Sequence, residues 1–354
     1  MQDALLFVAG LAALVVGASL LVRGASKLAL SFGISPLVVG LTVVAFGTSA
    51  PEVAVSIGAA LDGRTDIAVG NVVGSNIFNV LFILGLSALI TPLLVDTQII
   101  RQEIPIMIGA SLLLAALGLD GNLGFFDCAL LLVLLAAYTT FLVWQSRRSN
   151  AAVAPDNAAK ETQSAHWLLQ LALIGAGLVL LILGSNWLVG AAVAFAKAIG
   201  VSDLVIGLTI VAAGTSMPEV ATSIMAALRG QRDIAIGNVI GSNIFNLLGC
   251  LGLTGLVAAN GLQIAPALQN FDLWVMLATA FACLPICLSG REIARWEGAL
   301  FLGYYMAYAT YLILAAQAHD ALPAMSFAML GFVMPITLVT LIVVSLRQPP
   351  RAPR

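Results

Sequence analysis

Charge is scarce in this chain. Of its 354 residues only 9% are Asp, Glu, Lys or Arg, 61% are hydrophobic, and the mean hydropathy is +1.06. Soluble domains carry about a quarter charged residues, so a water-soluble fold is excluded. Histidine is nearly missing: His166 and His319 stand at the ends of apolar stretches, and no function is assigned to them. The four cysteines, Cys128, Cys250, Cys283 and Cys287, fall inside apolar stretches at spacings that match no zinc pattern. Without a histidine or a nearby lysine to activate a serine, an intramembrane hydrolase is not expected. No cofactor and no nucleic-acid partner is expected, and the net charge of -2 says nothing about protein partners.

What remains is greasy and long. Near-continuous apolar stretches begin near Leu5, Pro36, Ile67, Pro105, Phe125, Trp167, Leu204, Ile234, Leu273, Ala299 and Leu322. A helix needs about 20 such residues to cross the ~30 Å hydrocarbon core. The expected fold class is therefore all-α: a polytopic protein of about eleven transmembrane helices in a lipid bilayer. The first stretch shows no small-residue cleavage site followed by a soluble domain, so it is expected to persist as a helix.

Eleven spans alternate the side of every connection, which the positive-inside rule can test. With the N-terminus outside, the inner side receives Arg23, Lys27, Arg101, Arg147, Arg148, Lys160, Arg229, Arg232, Arg291, Arg295, Arg347, Arg351 and Arg354; the outer side keeps Arg64 and Lys197. Thirteen against two supports both the span count and the direction. The expected location is a plasma membrane of the bacterial inner-membrane type, with a cytoplasmic C-terminus. The only sizeable polar connection, rich in Ala, Asn, Ser and Gln, reads as a flexible cytoplasmic linker. The expected organisation is a first five-helix repeat over 1–145, the linker over 146–165, a second five-helix repeat over 166–317, and an additional C-terminal helix with a basic tail over 318–354.

Repetition is the strongest signal. Shifted by 167 positions, Gly33 to Ile90 aligns without gaps on Gly200 to Val257, and 39 of the 58 pairs are identical. Five spans separate equivalent helices, so the second copy must be inserted upside down. Inverted repeats whose discontinuous helices meet near the bilayer midplane are a secondary-transporter architecture, with substrate and coupling ions bound at the repeat interface.

Inside the duplicated segments lies the one costly feature. GTSAPE (Gly47 to Glu52) and GTSMPE (Gly214 to Glu219) place a carboxylate in the middle of an apolar span. An intramembrane acid is expensive and is a functional candidate by default. Pro51 and Pro218 offer no amide hydrogen, so the carbonyls of Gly47 and Gly214 lose their helical partner and the helix loosens there. Helical spacing puts Thr48 and Ser49 on the face of Glu52, and Thr215 and Ser216 on that of Glu219. In the following span Asn71, Ser75 and Asn79 recur at four-residue steps, matched by Asn238, Ser242 and Asn246. Asn76 and Asn243 sit about 100° off that stripe, which suits hydrogen bonding between helices. Ser56, Ser223, Gly70 and Gly237 are expected to pack. An all-oxygen set of this kind is what hard cations such as Ca²⁺ and Na⁺ prefer. Two carboxylates about 6 Å apart would repel by nearly 3 kcal/mol at an effective dielectric of ~20. A divalent ion cancels both charges, as monovalent ions or protons could: one site with competing cations is what antiport requires.

At these residues the sequence resembles the cation/calcium exchanger family of prokaryotic type, which includes the sodium/calcium exchangers. GTSAPE with GNVVGSNIFN, and GTSMPE with GNVIGSNIFN, are similar to its two alpha-repeats, and the resemblance extends through ten helices. It implies alternating-access exchange of Ca²⁺ against Na⁺. It also implies ion ligands at Thr48, Ser49, Glu52, Ser75, Asn79, Thr215, Ser216, Glu219, Ser242 and Asn246, with the backbone carbonyls of Ala45 and Ala212. One departure stands out: well-known members carry Asp at one of the positions taken here by Asn79 and Asn246. Proton-coupled or K⁺-dependent exchange is the alternative. A channel would share the oxygen ligands without needing an inverted duplication with paired acids.

Overall fold

The computed structural model describes residues 2–32, 34–151, 167–199, 210, 212–288 and 290–346. In hydrocarbon a spanning segment must satisfy its own backbone hydrogen bonds, and the described chain is accordingly helical. Its first half comprises α1 (Gln2–Phe32), α2 (Pro36–Thr48), α3 (Ala50–Leu61), α4 (Thr65–Ile90), α5 (Ile99–Asp120) and α6 (Phe125–Ala151). The second half comprises α7 (Trp167–Ala198), α8 (Ala212–Gly214), α9 (Met217–Leu228), α10 (Arg232–Val257), α11 (Leu268–Leu288) and α12 (Arg295–Ala316), and is followed by α13 (Leu322–Thr340).

Nine described helices are long and apolar enough to span, and α2 with α3, bent by 43°, makes a tenth. The span expected from Leu204 is described only as α8 and α9, because 200–209 and 211 lie outside the described residues. Most of the expected linker, 152–165, and the basic tail from Arg347 lie outside them too. α6 continues to Ala151, into the stretch that reads as linker. It holds no Gly or Pro there, and Arg147 and Arg148 complement the negative end of the helix dipole, with the Arg148 guanidinium 5.3 Å from the Trp144 ring centre.

Two pairs of two-residue strands reveal the inversion. β1 (Leu93–Leu94, between α4 and α5) pairs antiparallel with β4 (Glu292–Ile293, between α11 and α12). β2 (Asn122–Leu123, between α5 and α6) pairs antiparallel with β3 (Leu262–Gln263, between α10 and α11). In each pair the loop after the third span of one half meets the loop after the fourth span of the other. The two halves therefore exchange places about a two-fold axis, with one pair capping each end.

α1 and α7, the first helix of each half, run antiparallel in close contact. A Cβ on Gly17 would stand 2.8 Å from the Gly177 carbonyl oxygen, and one on Gly177 would stand 2.8 Å from that of Gly17. Small residues let membrane helices approach this closely, where packing rather than the hydrophobic effect holds them. α13 lies on the periphery, with Tyr304 of α12 hydrogen-bonded to Thr337. Cys128, Cys250, Cys283 and Cys287 are all buried and free.

Candidate functional site

The bend between α2 and α3 falls at Ser49, and the equivalent break between α8 and α9 falls at Ser216. Their backbones match, with φ −82°, ψ 8° at Ser49 and φ −88°, ψ 9° at Ser216. Proline in the first turn of each following helix accounts for both, since its missing amide leaves a carbonyl of the preceding turn without a partner. In the second half that carbonyl is Gly214, and the Ser185 hydroxyl of α7 donates to it at 2.6 Å. Protein thus satisfies the oxygen that proline frees at Gly214. The Ala45 carbonyl accepts the Ser49 amide at 3.0 Å and lies 3.4 Å from the Thr48 hydroxyl. Ala212 opens α8 at the equivalent position.

The sequence pattern placed each pair of hydroxyls beside the acid of its own helix. The structure exchanges them. Ser49 donates to Glu219 Oε1 at 2.8 Å, and Ser216 donates to Glu52 Oε1 at 2.7 Å. The bend at each serine swings its hydroxyl off its own helix face, and the two breaks face one another across the axis. Ser216 also lies 3.3 Å from the Ser75 hydroxyl of α4. Glu52, Glu219, Ser49, Ser216, Ser242 and Asn246 are wholly buried, with Ser75 and Asn79 nearly so.

The stripes of α4 and α10 complete the cluster. Asn71 donates to the Ser56 hydroxyl at 3.1 Å and to the Glu52 carbonyl at 3.3 Å; Asn238 repeats this on Ser223 at 2.9 Å and on Glu219 at 3.5 Å. Ser56 and Ser223 thus pack as expected, while Asn71 and Asn238 brace the acid-bearing helices. The halves are not identical in their contacts: Ser216 reaches the Ser75 hydroxyl, whereas the Ser242 hydroxyl has no partner among the described residues. Thr48 donates to Asn238 Oδ1 at 3.1 Å, whereas half-buried Thr215 makes no such bond to Asn71 among the described residues. Asn76 and Asn243 bond across the interface to each other's backbone, as their place off the stripe suggests.

Among the described residues no donor makes a hydrogen bond to Oε2 of either glutamate, to Asn79 Oδ1 or to Asn246 Oδ1, and the Ser242 hydroxyl has no partner. A buried polar group left unpaired costs about 1–3 kcal/mol, so five gathered at one interface require a cause. Two carboxylates and two amide oxygens form an acceptor-rich set whose charge suits a hard cation. No Lys or Arg forms an ion pair with either acid; the ion pair among the described residues is Arg64 with Asp62, exposed and 3.0 Å long.

Another buried acid supplies the contrast. Glu103 of α5, at the edge of its apolar stretch, escapes notice in the sequence. Its Oε1 accepts from Gln98 and Gln102, both at 2.9 Å, and its Oε2 accepts from Tyr138 at 2.7 Å. Asp272 of α11 accepts from Tyr308 at 2.7 Å in the other half. Aligning the halves two positions beyond the motif shift would have paired these acids. Both oxygens of Glu103 are thus engaged by neutral donors, which is a structural arrangement; Glu52 and Glu219 are each engaged on one side only.

Known proteins share this architecture. The family model described as sodium/calcium exchanger protein matches residues 3–144 and 169–314. CaxA of Alkalimonas amylolytica is 40% identical over 316 residues, covering 87% of this chain and 97% of its own. The sodium/calcium exchanger MaX1 of Methanosarcina acetivorans is 33% identical over 346 residues, covering 87% of this chain and 97% of its own. A solved structure of the sodium-calcium exchanger NCX_Mj, soaked with 10 mM Na⁺ and zero Ca²⁺, matches with a TM-score of 0.75 at 33% identity, covering 87% of this chain and 98% of that one.

Proposed function

From the premise that this chain belongs to the sodium/calcium exchanger family and is a multi-pass cation/Ca²⁺ antiporter, we propose that Na⁺ is the counter-ion and that one site between the two repeats serves both ions in turn. The proposed ligands are the carboxylates of Glu52 and Glu219, the hydroxyls of Thr48, Ser49, Thr215, Ser216, Ser75 and Ser242, the amide oxygens of Asn79 and Asn246, and the carbonyls of Ala45 and Ala212. The observation that carries this reading is the crossed pair of Ser–Glu bonds, which draws both acids to one interface and leaves an oxygen of each unbonded. Two carboxylates balance one Ca²⁺, so the site sheds its charge penalty only when occupied; this is why the empty carrier should not cross. Radiolabelled Ca²⁺ uptake into proteoliposomes loaded in turn with Na⁺, K⁺ or only a pH gradient tests the coupling. Uptake driven by outward Na⁺ alone is expected. Uptake driven by the pH gradient without Na⁺ would make the protein a Ca²⁺/H⁺ exchanger instead.

Asn79 and Asn246 are neutral, so they should tune ion preference. Asn246→Asp adds a third carboxylate to the cluster and should change how Na⁺ and H⁺ compete with Ca²⁺. An unchanged competition profile in a normally expressed variant would reduce these amides to packing.

The membrane orientation proposed here puts the N-terminus and the turn at Asp62 outside, and residue 157 in the cytoplasm. The native thiols are buried, so an engineered one reports cleanly. Asp62→Cys should react with an impermeant maleimide added to intact cells, and Asn157→Cys only after lysis. The reverse pattern would invert the protein.

A further inference from the structure

Asn79 and Asn246 can help to bind a cation only if they turn oxygen, not NH₂, towards it. An amide is nearly symmetrical in shape, so something must set its direction. Groups that can only accept a hydrogen bond decide the matter. Asn76 Nδ2 lies 3.3 Å from the Asn243 carbonyl oxygen and 3.9 Å from the Met276 sulfur. Neither partner has a proton to give, so the NH₂ of Asn76 is committed to that side. Its Oδ1 must then face the other way, where it accepts from Asn246 Nδ2 at 3.3 Å.

The second half repeats the chain of contacts. Asn243 Nδ2 lies 3.4 Å from the Asn76 carbonyl oxygen and 3.5 Å from the Met107 sulfur, and Asn243 Oδ1 accepts from Asn79 Nδ2 at 2.9 Å. With their NH₂ groups engaged in this way, Asn79 and Asn246 are left with Oδ1 as the free end, and those two buried oxygens have no hydrogen-bond partner among the described residues. All four amides are buried, at 3% exposure or less.

We propose that Asn76 and Asn243, each oriented by a methionine sulfur and by the other's backbone carbonyl, are positioning residues that lock Asn246 and Asn79 with oxygen towards the transported cation. They touch no ion themselves. The proposal rests on the exchange function and the ligand set above, and adds what makes neutral residues competent in it. Thioethers are well suited to this role, because they accept weakly, adapt in shape, and offer no donor that would turn the outer amide round.

The test exploits the symmetry of a carboxylate. Asn76→Ala frees the Asn246 amide to present NH₂, and should raise the apparent KM for Ca²⁺ in proteoliposomes by about ten- to hundredfold, the size of a lost bond to a charged group. The maximal rate should change much less. In an Asn246→Asp background the same Asn76→Ala change should move KM by no more than about twofold, the scatter expected of uncoupled sites, because Asp offers oxygen whichever way it turns. Asn243→Ala against Asn79→Asp is the mirror experiment and stands in should either variant fail to insert. Met276→Leu keeps the volume, removes only the acceptor, and should raise KM in the same direction by a smaller factor. An equal KM penalty in both backgrounds would make Asn76 a packing residue, and no penalty in the native background would show that Asn246 orients itself; either overturns the proposal. A native protein that takes up no Ca²⁺ at all would instead overturn the exchange function on which it rests.

Discussion

Glu52→Gln and Glu219→Gln are each expected to abolish Ca²⁺ exchange while leaving the protein folded in the membrane. Amide for carboxylate keeps the shape and one acceptor oxygen, so the Ser216 and Ser49 hydroxyls retain a partner. What goes is the charge. At ~4 Å and an effective dielectric of ~20, each unit of charge on the ion loses on the order of 4 kcal/mol of attraction, which is about a thousandfold in affinity per unit of charge. Among the described residues no Lys or Arg is paired with either acid, so the substitution strands no buried cation there, and folding should survive; breaking a true buried ion pair would cost about 3–5 kcal/mol. Thermal melting separates the two effects. The native protein should gain stability as Ca²⁺ is added, because a ligand that binds only the folded state stabilises it, and each Gln variant should melt near the native apo temperature without that gain. A variant that exchanges Ca²⁺ at native rate and affinity would remove the acids from the mechanism.

The acids were legible because an isolated carboxylate in an apolar span has few innocent explanations, and because the duplication showed it twice. The partner of each acid was not. Helical spacing relates residues within one helix, and it puts Ser49 on the face of Glu52 and Ser216 on that of Glu219, whereas the bends turn both hydroxyls across the axis. Which carboxylate each serves depends on how two breaks meet across the axis, a relation between segments about 170 residues apart. Asn76 and Asn243 were readable as interhelical bridges for the opposite reason, since their angular offset from the stripe is a within-helix property. Met107 and Met276 gave no signal at all. Their helices are apolar on every side, so no hydrophobic period marks which face turns inward. Glu103 hid at the end of its span, where an acid normally meets water; only the buried Tyr138 and the two glutamines show that this one does not.

Gly241→Ala, the addition of a single methyl group, is expected to impair exchange nearly as severely as loss of an acid, by geometry rather than charge. Gly241 lies on α10 against the wide turn Gly40–Val44 of α2. A Cβ there would stand 2.6 Å from the Leu41 carbonyl oxygen, 2.7 Å from its Cα and 2.9 Å from the Ala45 Cβ. Two of these three atoms are backbone, so no rotamer change relieves the clash; α2 must move off α10. Overpacking of this kind costs about 1–3 kcal/mol. The displaced segment carries the Ala45 carbonyl and leads into Thr48 and Ser49, and a shift approaching 1 Å in a positioning element can cost about a hundredfold in rate. The Thr48 to Asn238 bond, which joins the same two helices, should be lost with it. Gly109→Ala is the control: Gly109 is exposed on α5, and no described atom lies within 4 Å of its Cβ position. That change should leave exchange intact and raise the melting temperature slightly, since Ala is favoured over Gly in a helix by up to about 1 kcal/mol. If Gly241→Ala instead kept the native KM for Ca²⁺ and the native melting temperature, α2 and α10 could not approach as closely as described, and the site between them would have to be wider than its hydrogen bonds require.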